Sequence, residues 1–87
     1  MKAYQVFSGE INKHGFQKYK LEATFLSLPK AQKLFDAIVD NETKTGEDIV
    51  ELFPKYDEQG EIIYLVATIQ DWEYIDIAKI EKIDIVE

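Results

Sequence analysis

The sequence has no cysteine, a single histidine and no arginine. Without cysteine, the chain cannot form disulfides, thiolate zinc sites, iron–sulfur centres or a cysteine nucleophile. One histidine excludes metal sites built from several imidazoles, and the absence of arginine excludes the bidentate contacts by which guanidinium groups read guanine. No apolar run approaches the ~20 residues of a transmembrane helix. We therefore expect a soluble, intracellular globular domain.

The length of 87 residues predicts a single domain covering residues 1–87. An apolar fraction of 46 % with 31 % charged residues is too rich in large aliphatic side chains for a disordered chain. Polar residues follow Phe7 closely, so we expect no signal peptide and a cytoplasmic location. The frequent use of lysine and isoleucine, together with the absence of arginine, indicates an AT-rich coding sequence, as in a low-GC bacterium or one of its phages or mobile elements.

The net charge of −7 is unevenly distributed. The segment up to Phe35 contains six lysines and two acidic residues, whereas the segment from Asp36 onward contains four lysines and fifteen acidic residues. Such asymmetry indicates an interaction surface for a basic protein, unless oppositely charged strands compensate one another in the fold. Direct nucleic-acid binding is disfavoured, because the basic stripe that it needs is reduced to a few lysines, namely Lys13, Lys18 and Lys20.

The first half of the chain predicts a β-hairpin followed by a helix. Residues 3–8 and 18–25 are typical of strands, and a turn at residues 12–15 separates them. Strict alternation places Tyr19, Leu21, Ala23 and Phe25 on one face of the second strand. Ser27 is a candidate N-cap and Pro29 fits a first turn, after which apolar residues at helical spacing extend to Val39. Residues 40–48 predict a polar loop.

The second half predicts four strands. Residues 49–56 form the first, and Pro54 requires this strand to lie at an edge or to be bulged. A turn at residues 57–60 leads to residues 62–69, which are apolar on both faces and therefore predict a central strand. Residues 72–77 predict another strand, a turn follows near residues 78–81, and a final strand ends the chain. The predicted fold is α+β, a mainly antiparallel sheet in the order β-β-α-β-β-β-β with one amphipathic helix packed on one face.

No set of residues converges on a catalytic or metal-binding pattern. His14 lies in a predicted turn, where neither an orienting carboxylate nor a cleft is expected. A calcium loop starting at Asp40 would place Lys44 at its fifth position, where an oxygen ligand is required. We therefore predict a non-enzymatic protein without metal or cofactor.

Two groups of residues are candidates for binding a partner. Trp72 and Tyr74 lie among acidic residues on one predicted strand, where they could form an aromatic contact or pack inside the protein. Acidic residues around one predicted hairpin form the second group, namely Glu47, Asp48, Glu51, Asp57, Glu58 and Glu61. The leading hypothesis is a small acidic accessory or regulatory protein that acts by protein–protein contact.

Two alternatives remain open. The first is an acidic mimic of nucleic acid that inhibits a DNA- or RNA-binding protein, which requires carboxylates clustered on one continuous face. Acidic residues interspersed with lysines would instead indicate an ordinary solvated surface. The second alternative is a small-ligand-binding domain, which requires an enclosed apolar pocket.

The apolar run at residues 62–69 also predicts self-association. Alternation places Ile62, Tyr64 and Val66 on one face of this strand, and the single helix can cover only the other face. Leaving this face in water would forgo about 25 cal/mol per Å² of apolar area. Either the sheet curls on itself or a second copy covers the face, and the absence of a second helix favours a homodimer.

Overall fold

The computed structural model describes residues 1–11, 17–43, 50–71 and 73–85. Five strands and one helix follow one another along the chain: β1 (Lys2–Ile11), β2 (Gln17–Phe25), α1 (Leu28–Glu42), β3 (Val50–Tyr56), β4 (Ile62–Asp71) and β5 (Glu73–Asp84). The predicted α+β class with one helix is confirmed. Within the described residues, no helix is long and apolar enough to cross a membrane.

The strands form one antiparallel sheet in the order β2-β1-β5-β4-β3. Helix α1 connects the two edge strands and packs mainly on β5 and β1, and then on β2. One face of the sheet, here called the helix face, is therefore covered by α1. The opposite face is called the open face.

Two predicted boundaries were wrong. The turn expected near residues 78–81 does not exist, because β5 continues to Asp84 and pairs with β1 on one side and β4 on the other. Ala78 and Ile80 are fully buried at the centre of this sheet, so their spacing reflects strand alternation rather than a turn. Likewise, α1 continues to Glu42 and includes the first residues of the predicted polar loop.

The core lies between α1 and the helix face. Ser27 is the N-cap residue and a proline occupies the first helical turn, as predicted. Ala31 and Phe35 are the fully buried residues of the helix, and they pack on the three inner strands β1, β5 and β4. The buried cluster consists of Val6, Ala31, Phe35, Leu65, Ala67, Ile77, Ala78 and Ile80.

Three irregularities change which face a side chain occupies. The β1–β2 register shifts between Val6 and Phe7, so Ala23 and Phe25 share the face of Val6 while Leu21 lies beside Phe7. The predicted common face for residues 19 to 25 is therefore wrong. The other shifts lie at Lys55/Tyr56 in β3–β4 and at Ala67/Thr68 in β4–β5. Each follows from an extra residue in one strand, which reverses the alternation beyond it.

The turn between β3 and β4 forms where it was predicted. Gly60 has a φ of +82°, a backbone conformation that residues with a side chain rarely adopt. Its N–H donates a hydrogen bond to the carbonyl oxygen of Asp57 at 3.0 Å. The Asp57 carboxylate accepts hydrogen bonds from the N–H groups of Gln59 and Glu61, both at 2.9 Å. These bonds hold the hairpin closed and fix the direction in which β4 leaves the turn.

Candidate protein-interaction site

Strand β3 forms an edge of the sheet and is exposed along almost its whole length. Six of its seven residues are exposed, and the first is half-buried. Its exposed side chains include Leu52, Phe53 and Tyr56, with 55 %, 49 % and 57 % of their surface accessible. Neighbouring residues in a strand point to opposite faces, so β3 presents apolar surface on both faces. The prediction that Pro54 places this strand at an edge is confirmed, whereas no bulge lies at Pro54 itself, which pairs in register with Leu65.

An open groove runs beside β3 on the helix face. Because α1 packs mainly on β5, β1 and β2, the helix stops short of β3. The apolar part of the groove consists of Phe35, Val39, Val50 and Leu52. The carboxylates of Asp36 and Asp40 lie on its helix side. The groove therefore combines an apolar floor with a negatively charged rim.

A second open groove lies beside β3 on the other face of the sheet. It is lined by Glu51, Phe53, Val66, Thr68 and Asp76, and so crosses from β3 over β4 to β5. Thr68 is only 5 % exposed, and its hydroxyl oxygen has no hydrogen-bond partner within the described part of the chain. Burying a hydroxyl group without a partner costs free energy. Acidic side chains thus flank β3 on both faces.

A cluster of aromatic and charged side chains borders this second groove. The ammonium group of Lys79 lies 4.7 Å from the centre of the Phe7 ring and 3.9 Å from that of Tyr19. Lys79 also pairs with Glu81 at 3.2 Å, and the Tyr19 hydroxyl donates a hydrogen bond to Asp76. Only 13 % of the Lys79 side chain is exposed, so this cluster covers the part of the open face formed by β2, β1 and β5.

The same cluster keeps its tyrosines protonated. Burial is the main cause that raises the pKa of Tyr19, and the hydrogen bond to Asp76 and the charge of that carboxylate raise it further. Burial also raises the pKa of Tyr64, with contributions from Asp76 and Glu81. Ionising either phenol would place a second negative charge beside these carboxylates.

Replacing Tyr19 with phenylalanine is expected to reduce the loss of stability at alkaline pH. The unfolded chain ionises Tyr19 near its ordinary pKa of 10.0, whereas the folded chain keeps it protonated. The contribution of Tyr19 to the free energy of unfolding is therefore fully present below pH 10 and is lost as the pH rises above that value. Urea unfolding at several pH values should show a shallower decline for Y19F above pH 10, and about 1 kcal/mol less stability at neutral pH. Equal slopes for Y19F and the wild type would contradict the role of Tyr19, and Y56F, at an exposed tyrosine, is the matched control.

The backbone of β3 presents a defined pattern to an incoming strand. The N–H of Asp57 donates across the hairpin to the carbonyl oxygen of Glu61 at 2.9 Å. The extra residue at the Lys55/Tyr56 shift lies in β4, so the alternation within β3 is unbroken. The backbone N–H and C=O groups of the odd-numbered residues back to Glu51 therefore also point toward β4. The backbone groups of the even-numbered residues, including Leu52 and Pro54, point away from β4 toward the free edge. Pro54 thus lies where its missing N–H disrupts no bond within the sheet.

The acidic residues of the predicted partner-binding group do not form one continuous face in the described structure. Asp57 and Glu61 pair with Lys82 at 3.3 and 3.2 Å, and Lys2 lies 3.7 Å from Glu61. The backbone N–H of Glu61 is the main cause that lowers the pKa of Asp57, which Lys82 lowers further. Desolvation opposes the charge of Lys82, but its hydrogen bonds to these carboxylates raise its pKa above the ordinary value. These acidic residues are therefore interspersed with lysines.

The remaining predicted residues are dispersed. Glu51 lines the open-face groove at the far end of β3 from the turn, and Glu58 is exposed in that turn. Tyr74 lies in β5 opposite Gln70. The partner-binding candidates Glu47, Asp48 and Trp72 lie outside the described residues, as do Lys13, His14 and Lys44. Among the described residues, no three acidic or histidine side chains lie close enough to hold a metal ion.

The three residues predicted to mediate self-association do not share one exposed face. Ile62 packs against the core because the register shift between Lys55 and Tyr56 reverses its direction. Val66 lies on the open face but is only 5 % exposed, between Phe53 on β3 and Lys79 on β5. Tyr64 shares that face and is half-buried. The chain therefore covers most of this strand on both sides.

Sequence reasoning missed the exposed apolar residues of β3. The available signal was Pro54 next to Leu52 and Phe53, since an apolar segment that contains proline belongs to an edge strand. Whether neighbouring elements cover these side chains depends on the strand order, which the local sequence pattern does not reveal.

No protein-family model matches this chain, and neither a curated protein nor a solved structure is significantly similar to it.

Proposed function

We propose that this chain is a non-enzymatic protein-interaction domain that binds an extended segment of a partner polypeptide by strand addition at β3. The observation that carries this proposal is the exposed edge strand with apolar side chains on both faces. An added strand gains main-chain hydrogen bonds from the edge and packs its side chains in the flanking grooves. Exposed apolar edges of this kind otherwise promote aggregation, so a partner that covers the edge explains why it is exposed.

The charges around β3 favour a basic segment. Asp36 and Asp40 border the groove on the helix face, while Glu51 and Asp76 border the groove on the open face. Lysine side chains from a bound strand would therefore approach carboxylates on either side. Such complementarity accelerates association and selects among partners more than it adds affinity.

The two alternative functions receive less support. Mimicry of nucleic acid needs a continuous array of carboxylates, whereas Asp57 and Glu61 are paired with Lys82 and Lys2. Binding of a small ligand needs an enclosed cavity, whereas the two grooves beside β3 are open to solvent.

Binding of a fluorescently labelled probe peptide tests the proposal. The probe alternates valine and lysine over seven residues, the length of β3, and the matched probe carries glutamate in place of lysine. We expect the lysine peptide to bind with a Kd in the micromolar range, to lose affinity with added salt, and to bind better than the glutamate peptide. Equal binding of both peptides, or of neither, would contradict a basic partner strand.

A pair of variants locates the binding surface. Replacing both Leu52 and Phe53 with serine is expected to lower the affinity for the lysine peptide by about tenfold or more. About half of the surface of each side chain is exposed in the free protein and can be buried by a bound peptide. Leu26→Ser is the matched control, since Leu26 is 66 % exposed and lies outside β3. Unchanged binding by the double variant would place the peptide elsewhere.

A further inference from the structure

The sequence of β3 is complementary to itself. Its residues read VELFPKY, with Phe53 between Glu51 on one side and Lys55 on the other. When two copies of such a strand run antiparallel about a two-fold axis at Phe53, Glu51 lies opposite Lys55 of the second copy. The symmetry repeats this contact, so the pair forms twice. No other antiparallel register of two β3 strands places these two residues directly opposite each other.

We infer that the first occupant of the β3 edge is a second copy of this chain, paired in this register. The inference rests on the proposed function, because it assigns a partner to the same edge. The two five-stranded sheets then join into one continuous sheet through their β3 strands. This homodimer uses the edge of the sheet rather than the face that the sequence predicts for self-association.

The direction of the backbone supports the register. Glu51, Phe53 and Lys55 turn their N–H groups toward β4, so between the two copies they occupy the non-hydrogen-bonded positions. At these positions the Cα atoms of opposite residues are about 4.5 Å apart and the side chains meet most closely. The two Phe53 rings therefore meet at the axis, and an ion pair lies on each side of them. All of these side chains lie on the open face.

The other face of the strand is also complementary. Leu52 of each copy lies opposite Pro54 of the other, so an apolar contact forms on the helix face. The N–H of Leu52 can donate to the carbonyl oxygen of Pro54, but Pro54 has no N–H with which to return the bond. The joined strands therefore lack one hydrogen bond at each of these two positions.

This missing donor makes the dimer weak and exchangeable. A contact between two edge strands is also smaller than the 1,200–2,000 Å² that stable complexes commonly bury. We expect a Kd of about 10–100 μM, which a tighter-binding partner strand can displace. Self-pairing would thus cover the apolar edge until the partner binds.

Charge-reversal variants test the register by sedimentation equilibrium. E51K places two lysines opposite each other twice, and K55E does the same with two glutamates. Each single variant should weaken the dimer by about tenfold or more, and the double variant E51K/K55E should restore it. An equimolar mixture of the two single variants should form a heterodimer, because one strand then carries lysine at both positions and the other carries glutamate at both. Glu58→Lys, at an exposed turn residue, is the control for net charge.

A proline replacement provides a test in the opposite direction. Pro54→Val supplies the missing N–H in each copy and should tighten the dimer by about tenfold or more. Circular dichroism of each variant verifies that the fold is intact, and added salt should weaken the wild-type dimer.

The outcomes separate the two proposals. A wild-type chain that stays monomeric at millimolar concentration, or a dimer unaffected by either reversal, overturns self-pairing at β3. If the monomeric chain still binds the lysine peptide and the Leu52/Phe53 double variant does not, the proposed function stands without the homodimer. If the dimer responds as expected while neither peptide binds, the edge serves self-association and the proposed partner strand is rejected.

Discussion

Replacing Phe35 with alanine is expected to lower the free energy of unfolding by about 3–5 kcal/mol. Phe35 is only 1 % exposed and is the largest fully buried side chain among the residues that the structure describes. It lies in the middle of α1, where it fills the space between the helix and the central strands. Truncation removes its apolar contacts and leaves a cavity, because helix and sheet cannot close fully over the gap.

The size of this effect can be compared with the stability of the whole domain. A domain of 87 residues has a free energy of unfolding of about 4–13 kcal/mol. F35A should therefore bring the chain close to unfolding at 37 °C, while Phe35→Leu should cost about 1–2 kcal/mol. Urea denaturation followed by circular dichroism measures both. Leu26→Ala, at a residue 66 % exposed, should change stability by less than about 0.5 kcal/mol. A similar small change for F35A would contradict the position of α1 on the sheet.

Replacing Thr68 with valine is expected to stabilise the protein by about 1–2 kcal/mol. The Thr68 side chain is buried on the open face, and its hydroxyl oxygen has no partner among the described residues. Valine has nearly the same shape but no hydroxyl group to desolvate. For a domain of this size, the increase corresponds to a rise in Tm of roughly 4–8 °C per kcal/mol.

Thermal unfolding of T68V and of a control variant measures this effect. Thr24→Val is the control, because Thr24 is exposed on β2 and the same change there should alter Tm little. A lower Tm for T68V would show that the hydroxyl makes a stabilising hydrogen bond in solution. The lysine peptide adds a second measurement, since Thr68 lines the open-face groove. Weaker peptide binding by a stabilised T68V would indicate that the hydroxyl contacts the partner strand.

The candidate site was only partly predictable. Glu51 was assigned to partner binding and lines the groove beside β3, and Pro54 was assigned to an edge or a bulge. Asp57 and Glu61 were assigned to the same acidic group but pair with Lys82, which is far away in the sequence. Charge counting along the chain cannot show such pairing, because it depends on which strands lie next to each other.

The error in the last two predicted strands has a related cause. Ile77, Ile80 and Ile83 are spaced as in a helical turn, and this local pattern competed with the β-branched residues around them. Pairing of β5 with both β1 and β4 outweighs that pattern, since the backbone of a central strand forms hydrogen bonds with strands on both sides. The bulge at residue 77 also places Ile77 in the core, out of strict alternation.

Local chemistry determined the types of the elements. Apolar periodicity defined α1, the proline and Ser27 defined its start, and glycine at position 60 defined the turn between β3 and β4. These features act over a few residues, so they can be read from neighbouring side chains. The exposed edge and its two grooves were decided by the strand order, in which β1 pairs with β5 from the other end of the chain. The bulges lie between consecutive strands and reversed faces that simple alternation had assigned. Such contacts depend on how the whole chain buries its apolar surface, and for this reason the site at β3 emerged only from the folded structure.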